Sequence, residues 1–460
     1  MSATLTATKP ALRGKVIEPG DENYDATRRV WNGSIDKHPA LIARCSGTAD
    51  VRASLEYARE NDLLIAVRGG GHSIPGHSTC DDGMVIDLSP MKGIRVDTAR
   101  RRVRAQAGAT WGDFDRETQA FGLATTGGQI TTTGIAGLTL GGGVGWLMRR
   151  HGLTCDNLLS VDLVTADGRC ISASEDENVE LFWGLRGGGG NFGIVTSFEY
   201  RLHELDQVLA GPLVHRRERG GEGLRFLRGF LADAPNELTT FAVFATCPPH
   251  APFPAELWGQ PVFLIVPCWS GQLDEGERFL GPLRNFGPPA ADLLGPMPYT
   301  ALQSMLDGAA PWGLRHYGKS DFLAALDDGA IDVLVEHAAE LEDPLSQLMV
   351  AQLGGAIAQP DEDATAFANR DAAFFYHSVL LWDDPAKDEA RKTLARSLWQ
   401  AMRPYASGAY VNFLEDEGDE RVREAYRAST YERLVTLKTE FDPENVFRLN
   451  QNIAPKASAA

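Results

Sequence analysis

Three clusters of glycine, Gly69–Gly71, Gly141–Gly143 and Gly187–Gly190, constrain this chain more than any other feature of its sequence. Glycine runs are costly inside helices and strands, so they mark places where backbone turns tightly or meets another group with no Cβ between. Freed of side chains, a row of N–H groups can cradle an anion. The spacings are too irregular for a repeat architecture. Strand-like segments flank each cluster: Leu64–Val67 leads into the first and Met84–Leu88 follows it, Leu158–Thr165 follows the second, and Ile194–Tyr200 follows the third. Apolar residues recur near helical spacing over Ala49–Asn61 and Thr110–Phe121, and Asn178–Trp183 reads as one or two turns. This is an α+β pattern.

Three such runs point to the pyrophosphate of a dinucleotide. Gly188-Gly189-Gly190-Asn191-Phe192-Gly193 satisfies GxGxxG, but a strand follows where that motif needs a helix, so the Rossmann reading fails on context. No GxxxxGK[ST] occurs, which excludes a phosphate-loop hydrolase.

At 460 residues the chain is long enough for roughly two to three domains, and its 43% hydrophobic content excludes disorder, collagen and a disulfide scaffold. A net charge of −18 repels phosphate backbones and anionic lipid, so the expected partner is a small molecule, with neither nucleic acid nor membrane. The longest apolar stretch, Pro261–Trp269, is far short of a bilayer span. The opening MSATLTATKPALRGKV has no apolar core of the secretory kind, which predicts a cytoplasmic protein. Cys45, Cys80, Cys155, Cys170, Cys247 and Cys268 lie scattered, without a CxxC pair or a histidine at ligand spacing; they read as buried reduced thiols, and no metal site is expected.

Past residue 207 glycine thins out. Strands over Pro261–Val266 and Phe374–Trp382 alternate with expected helices over Asp321–Ala325 and Asp388–Met402, and the closing part carries a helical run at Tyr426–Phe441. DPEN after that helix is a stop signal, so the C-terminus is expected to dock on another domain.

The first cluster is Arg68-Gly69-Gly70-Gly71-His72-Ser73, a histidine inside the loop that would touch the phosphates. With VRGGGHSIPGHSTCDDGMVIDLS, GQITTTGIAGLTLGGGVGWLMRRHGLTCDNLLSVDLVTADG, LFWGLRGGGGNFGIVTSFEYRL, YVNF and DPENVFRLNQNI, it resembles the FAD-linked oxidases of the vanillyl-alcohol oxidase and p-cresol methylhydroxylase fold, and within them the berberine-bridge-enzyme-like group. The resemblance implies an N-terminal segment over residues 1–36, an FAD-binding domain of two α/β subdomains over 37–207, a substrate domain with a helix-covered antiparallel sheet over 208–404, and a segment over 405–460 that returns to the flavin. It implies FAD joined covalently to His72, with Arg68, Gly69, Gly70, Gly71 and Ser73 at the pyrophosphate and His77 supporting the loop. Thr132, Thr133, Gly134, Gly137, Gly142, Gly143, Asn157, Gly193 and Val195 would line the flavin, and Tyr410, Asn412, Asn450 and Gln451 would close over it.

Three departures matter. Many members attach the flavin a second time through a cysteine where this chain has Ile130, which implies a single histidyl bond, the pattern of the bacterial 6-hydroxynicotine oxidases. Where the family's alcohol oxidases carry a second tyrosine as base, this chain has Phe413. The position that affects oxygen access is Thr133, matching neither the oxidase nor the dehydrogenase habit; molecular oxygen stays the expected acceptor.

Oxidising an alcohol moves a hydride and requires a base for the hydroxyl proton, whereas a neutral amine needs none. Without a hydroxyl at 413, the enzyme is expected either to oxidise an amine or to recruit its base from the middle domain. Tyr317, Lys319, Tyr376 and His377 are the candidates, on two strand-like segments where period two puts Phe375, His377 and Val379 on one face and Phe374, Tyr376 and Ser378 on the other. Tyr317 and Lys319 otherwise read as an exposed strand edge, and Arg149, Arg150 and His151 as a solvated turn. The resulting expectation is an FAD-dependent oxidase of a small alcohol, sugar, phenolic or cyclic amine. A nicotinamide-dependent reductase with unattached FAD and a non-catalytic flavin-binding protein are the alternatives.

Overall fold

The computed structural model describes residues 9–457. Its first sheet runs in the order Lys15–Ile17, Leu41–Arg44, Met84–Asp87, Ile65–Arg68; the last three strands are parallel, and the helix Thr48–Glu60 makes the crossover. Parallel strands buried on both faces need continuous apolar runs, and Leu41, Ile42, Ala43, Met84, Val85 and Ile86 are all fully buried. The first glycine cluster begins one residue beyond Arg68, at the carboxyl end of its strand. A second sheet joins Ile94–Asp97, Arg102–Gln106, Ile194–Arg201, Leu158–Val164 and Cys170–Ser174, all antiparallel.

From Gln207 the chain enters a third, ten-stranded sheet, whose centre is Leu238–Thr246, Gln347–Gln352, Phe374–Trp382 and Arg315–Leu323. Alternation along its strands sorts two cores. Ala242, Phe244, Tyr376 and Leu380 pack beneath the helices Gly220–Phe230, Asp328–Ala338 and Asp388–Met402. Phe241, Val243 and Phe375 face the other way, against Trp146 and Tyr410. That second face meets the glycine-rich half of the chain.

The C-terminal segment docks through one buried cation. Lys438 Nζ donates to Asp442 (2.6 Å) and to the carbonyls of Asn191 and Phe447 (both 2.9 Å), and the Asn191 side chain bonds Gln451 O and Ile453 N. The end of the chain is thereby fastened to the third glycine cluster.

Three expectations fail. Asp321–Ala325 is no helix: Asp321 sits in strand Arg315–Leu323, in register with Tyr376, whose hydroxyl donates to it, and pairs with Arg421. Met148–His151 is a helical turn rather than a solvated one, with the Arg149 guanidinium buried on the carbonyls of Leu238 (2.7 Å), Ala234 (2.9 Å) and Leu353. Cys170 is exposed while the other five cysteines are buried. No helix among the described residues is long and apolar enough to cross a membrane.

Candidate active site

A cavity of about 400 Å³ lies between the glycine loops and the large sheet. Its phosphate-like end is made by two loops that only glycine allows to cross. A Cβ on Gly70 would lie 2.3 Å from Gly134 N, and one on Gly134 would lie 2.4 Å from Gly70 N. Gly71 has φ +71°, a left-handed conformation in which a side chain would also be strained. Among the described residues, nothing accepts a hydrogen bond from the backbone N–H groups of Gly69 through Ser73. Unpaired donors in a row beside a cavity form an anion cradle, which fits the pyrophosphate of a dinucleotide.

His72 stands at the end of this row. Its Nε2 is 2.8 Å from Thr132 Oγ1, its ring stacks on Trp31 at 5.4 Å, and Trp312 meets it edge-on at 5.5 Å. Burial without a carboxylate partner holds its pKa down at about 3, so the imidazole is neutral and keeps a nucleophilic nitrogen.

Fifteen of the expected cofactor residues line the cavity: Gly69, Gly70, Gly71, His72, Ser73, His77, Thr133, Gly134, Gly137, Gly193, Val195, Tyr410, Asn412, Asn450 and Gln451. Thr132 touches His72 from behind the wall. The others stand back. Arg68 is spent on the carbonyls of Thr27, Arg28 and Ser78. Asn157 ties His151 O and Leu153 O to His203. Gly142 packs under Phe367 and Gly143 under Thr154, although Gly143 N–H donates to the Tyr410 hydroxyl (2.9 Å). That hydroxyl also accepts from Asn412 (2.9 Å), and burial pushes it up to about 12, so it stays protonated.

Of the four candidates for a base, only His377 reaches the cavity. Tyr317 packs into the helix-covered core with Arg396 on its ring, and Tyr376 is buried there on Asp321. Lys319 is no exposed edge residue: it is 4% exposed and paired with Glu417 on that side of the sheet. His377 stacks on Phe413 at 4.1 Å, its Nε2 has no partner among the described residues, and burial lowers its pKa to about 3.

Sequence reasoning missed the rest of this wall. Met349 pairs with His377 and Gln347 with Val379 across two adjacent strands, and His316 joins them from the next strand. Glu415 Oε1 lies 3.7 Å from His316 Nδ1, but burial raises the carboxyl to about 7 and lowers the imidazole to about 3, so both tend to neutrality and this is no ion pair. Alternation in QLMVAQ would have flagged Gln347 and Met349 as one face of a strand. Trp31, Leu306 and Ala310 carry no such signal. No Asp, Glu, Lys or Arg is among the described residues that line the cavity.

Proteins of known activity resemble this chain in sequence and in fold. A family model described as "FAD binding domain" matches residues 39–174, and one described as "Berberine and berberine like" matches 409–454. The (R)-6-hydroxynicotine oxidase of Paenarthrobacter nicotinovorans is 33% identical over all of both chains, and an FAD-linked oxidoreductase of Dictyostelium discoideum is 31% identical over 97% of this chain and 95% of its own. This chain belongs to the berberine-bridge-like FAD-linked oxidoreductases. The crystal structure of 6-hydroxy-D-nicotine oxidase from Arthrobacter nicotinovorans superposes with a TM-score of 0.88 at 31% identity, over 98% of this chain and 100% of that one. The fold is therefore the α+β FAD-binding architecture of the p-cresol methylhydroxylase type with a helix-covered antiparallel sheet, and the oxidoreductase binds FAD.

Proposed function

We propose that the enzyme is an oxidase whose FAD is attached through His72 alone, and that it takes a hydride equivalent from a small alcohol, sugar, phenolic or cyclic amine and passes the electrons to oxygen. The observation that carries this reading is His72 itself: a neutral imidazole held between two tryptophans and Thr132, at the end of a row of unpaired backbone donors. Ile130, which lines the cavity where a second attachment would need a thiol, supports a single bond.

Bound FAD supplies the two-electron acceptor. The backbone from Gly69 to Ser73 binds its phosphates, and Tyr410 with Asn412 braces the turn at Gly143 and the Leu138 carbonyl behind it. For an alcohol, His377 accepts the hydroxyl proton; of the four candidate bases it alone lines the cavity, and it is neutral. The uncharged lining excludes water-stabilised ions, so an amine reacts as its free base.

The test is acid denaturation followed by gel electrophoresis, beside His72→Ala. A flavin-fluorescent band that vanishes in the variant supports the reading, with peroxide release on turnover as its second leg. A dark band with yellow supernatant overturns covalent attachment and favours the nicotinamide-dependent reductase.

A further inference from the structure

Besides Thr133, whose hydroxyl lies 3.4 Å from Nδ1, three groups around the His72 ring trace back to one segment of the substrate half, residues 307–313. Asp307 lies 176 positions from Thr131, yet its carboxylate accepts from Thr131 N (2.8 Å) and from Thr131 Oγ1 (2.6 Å). The turn Ile130–Thr133 is otherwise closed by Thr133 N on Ile130 O (3.1 Å) and held to the helix Trp111–Gln119 by Gly112 N on Thr131 O (2.8 Å) and Trp111 N on Thr133 O (2.9 Å). Thr132 is left at the apex, with its hydroxyl on His72 Nε2. On the other side of the ring, Trp31 is anchored by its indole N–H on Ala310 O (2.9 Å) and by its carbonyl on Gly313 N (3.1 Å). The third wall, Trp312, is part of the segment and also lies against Gly71, where a Cβ would come within 3.2 Å of its ring.

These contacts are redundant if the segment only seals the cavity, since Leu306, Ala309 and Ala310 already line it with apolar groups. A carboxyl group whose two oxygens are committed to a single threonine has a different use. It fixes the threonine turn in the plane where Thr132 meets the imidazole. We propose that Asp307 is a positioning residue for flavin attachment, acting through Thr131 and Thr132 to hold His72 in its reactive orientation, so that the substrate half of the chain completes the cofactor site.

The inference rests on the attachment reading above. Attachment replaces one imidazole N–H and one flavin methyl C–H by a carbon–nitrogen bond. The two protons and two electrons released reduce the isoalloxazine ring, and oxygen, the acceptor of the proposed oxidase, then takes them up as peroxide. Because the bond forms only when nitrogen and methyl carbon approach in line, angstrom-scale misplacement costs rate steeply.

The experiment compares wild-type enzyme with Asp307→Ala and Asp307→Asn, each purified with added FAD. Total flavin is read from absorbance, and attached flavin from what stays with the protein after acid precipitation, over a time course. The expected result is that Asp307→Ala keeps its total flavin while attachment slows tenfold or more, and that Asp307→Asn, which keeps an acceptor oxygen, recovers part of the rate. Attachment at the wild-type rate in Asp307→Ala overturns the inference. So does a parallel fall of total flavin, attached flavin and urea midpoint, which marks a purely structural role. Wild-type enzyme with no attached flavin sinks the attachment reading itself, and the inference with it.

Discussion

The crossing of Gly70 over Gly134 offers the sharpest test of how the cofactor cradle is built. In Gly70→Ala the new Cβ lies 2.3 Å from Gly134 N, 2.5 Å from Gly134 Cα and 3.3 Å from Thr133 C, where ordinary contact begins at 3.4 Å. The two loops must part by about 1 Å. Overpacking usually costs about 1–3 kcal/mol when side chains can yield. Here both partners are backbone, and Gly134 is held between Thr133, whose carbonyl accepts from Trp111 N (2.9 Å), and Ile135, whose N–H donates to Ala109 O (3.0 Å). The cost belongs at the upper end, about 3 kcal/mol, a large share of a stability of about 5–15 kcal/mol. The same movement carries Thr132 and Thr133 away from His72, so bound flavin falls with stability. Urea midpoint by circular dichroism and flavin-to-protein ratio by absorbance read the two effects. Gly229→Ala is the control: its Cβ meets nothing within 4 Å on the exposed side of helix Gly220–Phe230, and it should gain up to about 1 kcal/mol with unchanged flavin. Wild-type midpoint and full flavin in Gly70→Ala would refute the reasoning.

Three more perturbations have definite expected outcomes. Asp115 is buried with Oδ1 unpartnered, and burial pushes its carboxyl up to about 7 against the opposing effect of the bond that Oδ2 accepts from Gln303 (2.7 Å). A raised carboxyl stabilises the fold at low pH and loses that contribution as pH rises from its unfolded value near 4 toward 7, by up to about 4 kcal/mol; the wild-type minus Asp115→Asn difference in urea midpoints should therefore fall steadily between pH 4.5 and 7.5, and a pH-independent difference would count against it. Arg149→Met leaves the carbonyls of Leu238, Ala234 and Leu353 without their buried donor and should cost about 3–5 kcal/mol in chemical denaturation. With an alcohol substrate, His377→Phe should lower kcat about 10²–10⁴-fold, whereas Tyr317→Phe, on the far side of the sheet, should leave kcat and KM unchanged; the reverse ranking in steady-state kinetics would restore Tyr317 as the base.

The glycine-lined end of the cavity was legible in the sequence because its determinants are local. A glycine run means one thing to the backbone wherever it lies, and Gly69, Gly70, Gly71, His72 and Ser73 are consecutive residues leaving one strand. The strand Phe374–Trp382 and the helix Asp388–Met402 were readable end to end for the same reason, since period two and period 3.6 are properties of neighbouring residues.

What lay outside the sequence depends on which distant segment covers which face. Period two separated His377 from Tyr376, but nothing in the alternation tells which of two buried faces meets the cofactor and which meets helices. The large sheet decided that by turning Tyr317 and Tyr376 into the helix-covered core and His377, with Met349 and Gln347, toward the glycine loops. Asp321 read as helical because its acidic neighbourhood is a local cue, and it became strand because pairing with Tyr376 and Arg421 is a long-range one. The union of His72 with Thr132, Trp31 and Trp312 is likewise a product of tertiary packing. Residues far apart in the chain share no periodicity, so only closure of the fold brings them to one ring.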